Sequence, residues 1–388
     1  MKKLCVLLFV ILLLPGLASA CSMYKITKNG KTIVGNNEDW ISPNSLFWFE
    51  KGEGEQFDVL YMGQLDRFAQ GAMNSAGLVF DGFAMDYLEV KNVKGKISIP
   101  FGEAVQQVMR TMSDVNEVRD YLSTINLSLL ETGQIVFVDR SGTYLIVEGD
   151  EMIIGSEPEQ CFSNFYYSQI ESTDEVELEN FKNGMEFLKE TRGAPSLDYV
   201  GSVMESLKST GDMTQYTTVY DLQELTVRVY LFHDFGNYQE FSLAEKIKEG
   251  NHSATIADLF PNDSPGVENY NNYNSSDDPT KFVRDLMGDQ TFSEEELESQ
   301  GFSWIVNTMG YERLLYLEDP KGAIEIFKFG IELMPNNANL HDSLGEAYLE
   351  NNQLKESRQS YEKSLELNPD NNGAKEALKK IKSASNGS

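Results

Sequence analysis

Cys21 is the residue whose position predicts chemistry. It directly follows Ala18-Ser19-Ala20, a small-residue pattern typical of signal-peptidase sites, so cleavage after Ala20 would make Cys21 the first residue of the mature chain. A free α-amine titrates at about pH 7.7–8.0 and a free thiol at about pH 8.5. Because the amine can take up the thiol proton near neutral pH, one residue would supply both nucleophile and general base. This arrangement suits acyl transfer through a thioester, with water as the usual second acceptor.

The segment before Cys21 has the layout of an export signal. Lys2 and Lys3 are followed by an unbroken apolar run over residues 4–14. That run is too short to cross a bilayer, and no later segment is long enough either. We therefore expect residues 1–20 to be a signal peptide, and the mature chain to be exported to a periplasm or secreted, without a membrane span.

Charge and composition exclude several classes of partner. The net charge is −29, and because no basic patch interrupts it, nucleic acid and anionic membrane surfaces are disfavoured as partners. His233, His252 and His341 lack the spacing of metal ligands, and no phosphate-binding glycine loop is present. We therefore expect no metal and no cofactor. Cys161 is the other cysteine of the mature chain, and the pair does not form a disulfide framework.

Residues 21–250 are predicted to form an α+β domain. Asn29-Gly30 is the strongest short hairpin signal in the chain. The predicted strands are 22–27, 32–35, 45–50, 57–62, 77–84, 134–139, 143–149, 152–155, 214–220 and 226–232. Helical periodicity occurs at 102–124, 177–191 and 197–208. Many antiparallel strands with a few long helices fit two sheets held between helical layers.

The C-terminal part of the chain is predicted to be helical and repetitive. Residues 251–285, rich in Asn, Ser, Asp and Tyr around 262–280, are predicted to be a linker. Beyond it, within 286–384, the patterns IELMPNN at 331–337 and LELNPDN at 365–371 begin about 34 residues apart. This spacing resembles the tetratricopeptide repeat, and a generic helical bundle is the alternative. The resemblance implies that the repeats bind a protein partner or the catalytic domain.

The N-terminal part resembles the linear-amide C–N hydrolases. The resemblance is carried by C-S-M-Y at 21–24, the hairpin, G-N-N-E-D-W at 35–40, Q-G-A-M-N-S-A-G-L at 70–78 and D-G just beyond. It covers about residues 21–232. The family includes bile-salt hydrolases, penicillin V acylases and the carcinine hydrolase/isopenicillin-N acyltransferase group, to which D-G is most similar. The resemblance implies the four-layer αββα sandwich of N-terminal nucleophile hydrolases.

The resemblance also implies a set of site residues. Cys21 would be the nucleophile, and Asp39 would hold its α-amine in place. The Asn164 side chain and the Ala84 backbone N–H would form the oxyanion hole. Asn36 stands where bile-salt hydrolases and penicillin acylases have an arginine.

The chain departs from these relatives at their arginines. Asn36 replaces the first, no counterpart of the second is found, and Arg67 is the candidate substitute. The departure argues against a bile-salt substrate and leaves open how the amine is activated. A purely structural role also remains open for Asp39 and Asn37, as caps of a turn at the end of the hairpin.

These observations predict an exported amidase that hydrolyses a linear C–N bond of a small N-acyl substrate through a Cys21 thioester, with the α-amine as base. An acyltransferase on the same scaffold is one alternative, because both reactions share the acyl-enzyme. The other is a membrane-anchored lipoprotein, since a cysteine at a signal junction can also carry a diacylglyceryl group. Cys21 would then anchor a repeat-containing interaction protein. Candidate substrates are an N-acyl amino acid, a β-alanyl amine and a β-lactam side chain.

Overall fold

The structure is a computed structural model that describes residues 21–209, 213–275, 277–288 and 290–386. The predicted signal peptide, residues 1–20, lies outside the described residues. The chain divides into two compact units with a boundary between Tyr270 and Asn271. Among the described helices, none combines the length and the apolar character needed to cross a membrane.

The N-terminal unit contains two antiparallel sheets. In chain order the strands are β1 (Ser22–Lys28), β2 (Lys31–Asp39), β3 (Ser45–Glu50), β4 (Val59–Gln64), β5 (Ala69–Asn74), β6 (Val79–Ala84), β7 (Gly133–Val138), β8 (Tyr144–Glu148), β9 (Glu151–Gly155), β10 (Glu159–Ser163), β11 (Thr214–Asp221), β12 (Thr226–Leu231), β13 (Tyr238–Ser242) and β14 (His252–Thr255). The first sheet has the order β10-β1-β2-β11-β12-β13, and the second has the order β14-β3-β4-β5-β6-β7-β8-β9.

Helices cover the outer faces of both sheets. They are α1 (Phe101–Thr111), α2 (Val115–Leu122), α3 (Glu179–Glu190) and α4 (Leu197–Leu207). The shorter α5 (Leu243–Lys246) and α6 (Pro265–Tyr273) instead contribute Leu243 and Val267 to the core between the two sheets. The periodic segment 102–124 forms two helices rather than one. Asp114 ends the run because its side chain accepts hydrogen bonds from the backbone N–H groups of Asn116 and Glu117 and so caps α2.

Three hydrophobic cores define four layers. The central core joins the inner faces of the two sheets through residues such as Met23 and Val34 on one side and Leu60 and Val79 on the other. A second core packs α3 and α4 on the first sheet, and a third packs α1 and α2 on the second sheet. Side chains alternate between these cores along each strand because successive residues of a strand point to opposite faces. The αββα architecture predicted from the sequence is confirmed.

The β1–β2 hairpin places the start of β1 inside the first sheet, between β10 and β2. Asn29 and Gly30 take positive φ values of 55° and 77°, as the predicted two-residue turn requires. The register then pairs Ser22 with Asn37, and β2 pairs on its other side with β11. Cys21 therefore lies beside β2, a strand that is buried on both faces.

The C-terminal unit is helical. Its helices are α7 (Lys281–Met287), α8 (Glu294–Ser299), α9 (Phe302–Leu315), α10 (Pro320–Leu333), α11 (Ala338–Glu350), α12 (Leu354–Leu367) and α13 (Asn372–Asn386). Gly345 of α11 faces the Tyr361 ring of α12, and the buried Ser357 hydroxyl donates to the Gly345 carbonyl at 2.7 Å. The predicted linker segment, 251–285, contains β14, α6 and most of α7, with β14 paired to β3.

Candidate active site

Cys21 lies at the entrance to the central core. It immediately precedes β1, is partly exposed, and packs against the central core. The backbone N–H of Asp39 donates to Cys21 Sγ at 3.4 Å, and the thiol lies 3.8 Å from the Asp39 carbonyl oxygen. The main chain of β2 thus holds the sulfur at the edge of the space between the sheets.

A buried carboxylate lies beside this thiol. Glu38 is 1% exposed, and its Oε2 is 3.9 Å from Cys21 Sγ. The Asn36 amide, two residues earlier on the same face of β2, donates to Glu38 Oε1 at 2.9 Å. The hairpin register explains the contact, because pairing of Ser22 with Asn37 puts Cys21 opposite Glu38.

A second buried carboxyl faces the first from the other sheet. Asp81 of β6 is fully buried, and the backbone N–H of Gly82 donates to its Oδ1 at 2.9 Å. Asp81 lies on the inner face of β6, between Val79 and Phe83 of the central core. Two carboxyl groups so close together in a dry site cannot both ionise freely.

The pKa shifts of these groups follow from burial and mutual repulsion. Burial, with smaller effects of Glu38, Asp39 and Asp81, raises the pKa of the Cys21 thiol well above its usual value. Burial raises the pKa of Glu38, opposed by hydrogen bonds from Asn36, Asp81 and Cys21. Burial and then the Glu38 charge raise the pKa of Asp81 well above its usual value. The thiol is therefore protonated near neutral pH and needs a base.

Polar atoms without partners surround this pair. Three buried side-chain atoms have no hydrogen-bond partner among the described residues, namely Asn36 Oδ1, Tyr216 OH and Thr218 Oγ1. Unsatisfied polar groups cost free energy in a core and concentrate at functional sites. The space around Glu38 is thus polar and built into an otherwise apolar layer.

Asp39 binds its neighbours on two sides. Its backbone contacts the Cys21 sulfur, and its carboxylate Oδ1 accepts a hydrogen bond from the Thr214 hydroxyl at 2.6 Å. A register shift between Thr214 and Tyr216 brings Thr214 opposite Asp39. Asp39 therefore links the end of β2 to β11 beside the thiol.

The two oxyanion-hole candidates are brought together. The Asn164 side-chain amide donates to the Ala84 carbonyl oxygen at 2.6 Å, which joins the ends of β10 and β6. The Ser163 hydroxyl donates to the Cys21 carbonyl oxygen at 2.7 Å, and Ser22 pairs with Ser163. Asn164 is thus the residue that continues β10 next to Cys21.

The expected residues and the observed cluster differ in one respect. Glu38 and Asp81 are part of the cluster, and the sequence analysis assigned them no role. The available signal was the run of polar residues 36–39 inside a strand otherwise buried on both faces. Arg67, the candidate substitute for the missing arginines, is exposed and donates to Ser253. Among the described residues, no group of three or more His, Cys, Asp or Glu side chains could hold a metal ion.

Comparison with known proteins gives one family match. The tetratricopeptide repeat model matches residues 338–371, which are α11, α12 and the turn after them. No curated protein matches the sequence.

The chain is also similar to solved structures of low sequence identity. A penicillin V acylase from Agrobacterium tumefaciens is 16% identical with a TM-score of 0.44, over 54% of this chain and 82% of that one. A conjugated bile acid hydrolase variant from Clostridium perfringens is 16% identical with a TM-score of 0.46, over 61% of this chain and 96% of that one. The first tetratricopeptide domain of Spaghetti (RPAP3), bound to an HSP90 peptide, is 20% identical with a TM-score of 0.19, over 30% of this chain and 87% of that one.

Proposed function

We propose that the chain is an exported amidase that hydrolyses the linear C–N bond of a small N-acyl substrate, with Cys21 as its nucleophile after removal of residues 1–20. The observation that carries the proposal is the surroundings of the thiol. Cys21 Sγ is partly exposed and lies 3.9 Å from Oε2 of the buried Glu38. The Ser163 hydroxyl donates to the Cys21 carbonyl, and Asn164, the next residue after β10, donates its side-chain amide to the Ala84 carbonyl at the end of β6.

In this mechanism the Cys21 sulfur attacks the amide carbonyl carbon and the amine leaves. The developing oxyanion would be stabilised by the Asn164 amide and the Ala84 backbone N–H. Water then hydrolyses the thioester and returns the free thiol. Two groups can accept the thiol proton, the α-amine that cleavage creates and the Glu38 carboxylate.

Charge around the thiol favours neutral or cationic substrates. Burial is the largest cause of the raised pKa of the Cys21 thiol, and the charges of Glu38, Asp39 and Asp81 raise it further, so negative charge lies near the sulfur. An anionic substrate group placed there would be repelled. We therefore propose N-acyl amides without a carboxylate or sulfonate next to the scissile bond, which disfavours conjugated bile salts.

The helical repeats are proposed to bind a protein partner. The match to the tetratricopeptide repeat supports this role, because such repeats stack helix pairs into extended binding surfaces. An acyltransferase remains the alternative reaction, since transfer to an amine would proceed from the same thioester.

Two measurements test the proposed function. The intact mass of the exported protein should correspond to a chain that starts at unmodified Cys21, and an added diacylglyceryl group would instead support the lipoprotein. Cys21→Ala should lower hydrolysis of chromogenic N-acyl amides by orders of magnitude. Cys161→Ala should not, because it removes a thiol in the core between the first sheet and helices α3 and α4. Amidase activity retained by Cys21→Ala would overturn the mechanism. Addition of an amine acceptor to the assay separates hydrolysis from acyl transfer.

A further inference from the structure

A buried hydroxyl lies beside Asp39, where β2 ends next to Cys21. Thr214, the first residue of β11, is fully buried, and its hydroxyl donates to Asp39 Oδ1 at 2.6 Å. This distance is typical of a hydrogen bond from a hydroxyl to a charged oxygen, which is roughly twice as strong as a bond between neutral groups. Asp39 is itself only 7% exposed, so little water competes for this bond.

A β-bulge brings Thr214 to this position. Tyr216 pairs with Glu38. A regular register would therefore place Gln215 opposite Asp39, but the register shift puts Thr214 there instead. Bulges bend a strand and re-aim its side chains, and they are common next to active sites. The bulge thus places a short, β-branched side chain with few rotamers where a regular strand would have a long and flexible glutamine.

Ser209 leaves the Thr214 hydroxyl a single orientation. A hydroxyl has one proton to donate and two lone pairs that accept. The Ser209 backbone N–H donates to Thr214 Oγ1 at 3.0 Å, and the Ser209 hydroxyl lies 2.9 Å from the same oxygen. Because the Thr214 proton is donated to Asp39, the Ser209 hydroxyl is the donor in its own contact. Both lone pairs of Thr214 are thus occupied, and its proton points at the Asp39 carboxylate.

Asp39 in turn contacts Cys21 through its main chain and its charge. Its backbone N–H donates to Cys21 Sγ at 3.4 Å, and its carbonyl oxygen lies 3.8 Å from the sulfur. Its carboxylate also acts electrostatically on the Cys21 side chain. An α-amine created by cleavage after Ala20 would be bonded to the same Cα, so this carboxylate would act on it as well. The conformation of Asp39 therefore affects both reacting groups of Cys21.

We infer that Thr214 is a positioning residue, which fixes Asp39 and through Asp39 orients the thiol and the α-amine of Cys21. The inference rests on the proposed function, in which Cys21 is the nucleophile and its α-amine can accept the thiol proton. Thr214 acts on the enzyme groups and not on the substrate. A displacement of about 1 Å in a reacting group can cost about 100-fold in rate. Loss of the Thr214 hydroxyl should therefore lower kcat and leave KM nearly unchanged.

The test measures kcat and KM of Thr214→Val on the mature full-length protein, with a chromogenic N-acyl amide whose hydrolysis requires Cys21. Valine keeps the β-branched shape and lacks the hydroxyl. Each variant is assayed under conditions in which urea unfolding shows it to be fully folded, so lost stability does not lower the measured kcat. We expect kcat to fall about 10- to 100-fold and KM to stay within about twofold. Thr214→Ser, which keeps the hydroxyl, should restore kcat to within about threefold of wild type.

Thr217→Val is the matched control. The Thr217 hydroxyl is also fully buried in β11 and also donates at 2.6 Å to a side chain of β2, but its acceptor is Asn37. This variant loses an equivalent contact between the same two strands and should keep kcat within about twofold of wild type. An equal loss of kcat in Thr214→Val and Thr217→Val would overturn the inference, because it would show that any broken contact between these strands slows the reaction.

A double variant shows whether Thr214 acts through Asp39. Asp39→Ala alone should lower kcat at least as much as Thr214→Val, and the two changes together should lower it by less than about twofold more than Asp39→Ala alone. Effects that multiply in the double variant would contradict the inference, since Thr214 would then act by another route. Full activity of Asp39→Ala or of Thr214→Val, or a Thr214→Ser variant as slow as Thr214→Val, would contradict it as well.

Ser209→Ala decides the question if Thr214→Val does not fold. It removes one of the two donors that orient the Thr214 hydroxyl and should lower kcat by about two- to fivefold at unchanged KM. An unchanged kcat in Ser209→Ala would then overturn the inference. Failure of the proposed function is seen separately, as amidase activity that survives Cys21→Ala.

Discussion

Asn37 holds the strand that carries the site, and its removal should destabilise the N-terminal unit. The side chain is fully buried and makes three hydrogen bonds. Its amide donates to the Ser22 hydroxyl at 3.1 Å and to the Met204 carbonyl at 2.9 Å, and its carbonyl accepts from the Thr217 hydroxyl at 2.6 Å. Asn37 therefore ties β2 to β1, β11 and α4 at once.

The magnitude follows from these three bonds. Each buried hydrogen bond contributes about 1 kcal/mol net, and partners left unpaired in a dry site add roughly 1–3 kcal/mol. Asn37→Ala leaves the Met204 carbonyl and the Thr217 hydroxyl without this partner, while Ser22 keeps its bond to the Leu207 carbonyl. We expect Asn37→Ala to lower the free energy of unfolding by about 3–4 kcal/mol, a large share of a typical stability of about 5–15 kcal/mol.

The assay is urea unfolding followed by tryptophan fluorescence in a Trp304→Phe background. The chain has three tryptophans, and Trp40 and Trp48 both lie in the N-terminal unit. Removal of Trp304 therefore makes the signal specific for the unit that contains Asn37. The shift of the midpoint at unchanged slope gives the difference in stability.

Thr217→Val is the matched control for this prediction. It removes one of the three bonds and should cost about 1–2 kcal/mol, and the double mutant should show a coupling of about 1 kcal/mol because the pair shares a contact. A loss below about 1 kcal/mol for Asn37→Ala would refute the reasoning, since it would mean that water replaces the lost bonds at no cost.

Three further predictions test other parts of the chain. Gly35→Ala should destabilise the N-terminal unit by about 1–3 kcal/mol, because a Cβ would lie 2.5 Å from Met204 Cγ; urea unfolding of the same tryptophan background measures it. Burial lowers the pKa of Lys25 to about 8, below its usual ~10.4, so the unfolded state binds more protons between these values. The stability of wild type relative to Lys25→Met should then rise through that pH window, by at most about 1.4 kcal/mol per pH unit in thermal or urea unfolding; a flat difference would contradict the shift. Gly345→Ala should destabilise the C-terminal unit by about 1–3 kcal/mol, because a Cβ would lie 2.9 Å from the Tyr361 ring. The fluorescence of Trp304 reports the unfolding of this unit, and an unchanged midpoint of urea unfolding would exclude the close contact.

Local sequence signals predicted most of the strands of the N-terminal unit. Alternating apolar residues and the Asn29-Gly30 turn placed the β1–β2 hairpin, and the strand predicted at 45–50 has the bounds of β3. Strands β5, β10, β13 and β14 were not predicted. The residues of β13 and β14 are only partly buried and carry little alternation, and β5 contains Gly71 and Asn74, residue types that strands disfavour. The 34-residue period likewise predicted the helical repeats, since each repeat packs mainly on its neighbours and its pattern is local.

The sequence by itself determined where a nucleophile could arise, because a signal-peptidase pattern and a cysteine are adjacent in the chain. It also determined that residues 36 and 38 share a face of one strand, since the side-chain period of a strand is two. Only the tertiary structure decided which side chains of other strands pack against that face. Asp81 comes from a strand of the other sheet, and Asn164 from the end of β10, which pairs with β1 across a long connection. Contacts between two stacked sheets depend on how the whole chain packs, so no local pattern encodes the carboxyl pair beside Cys21.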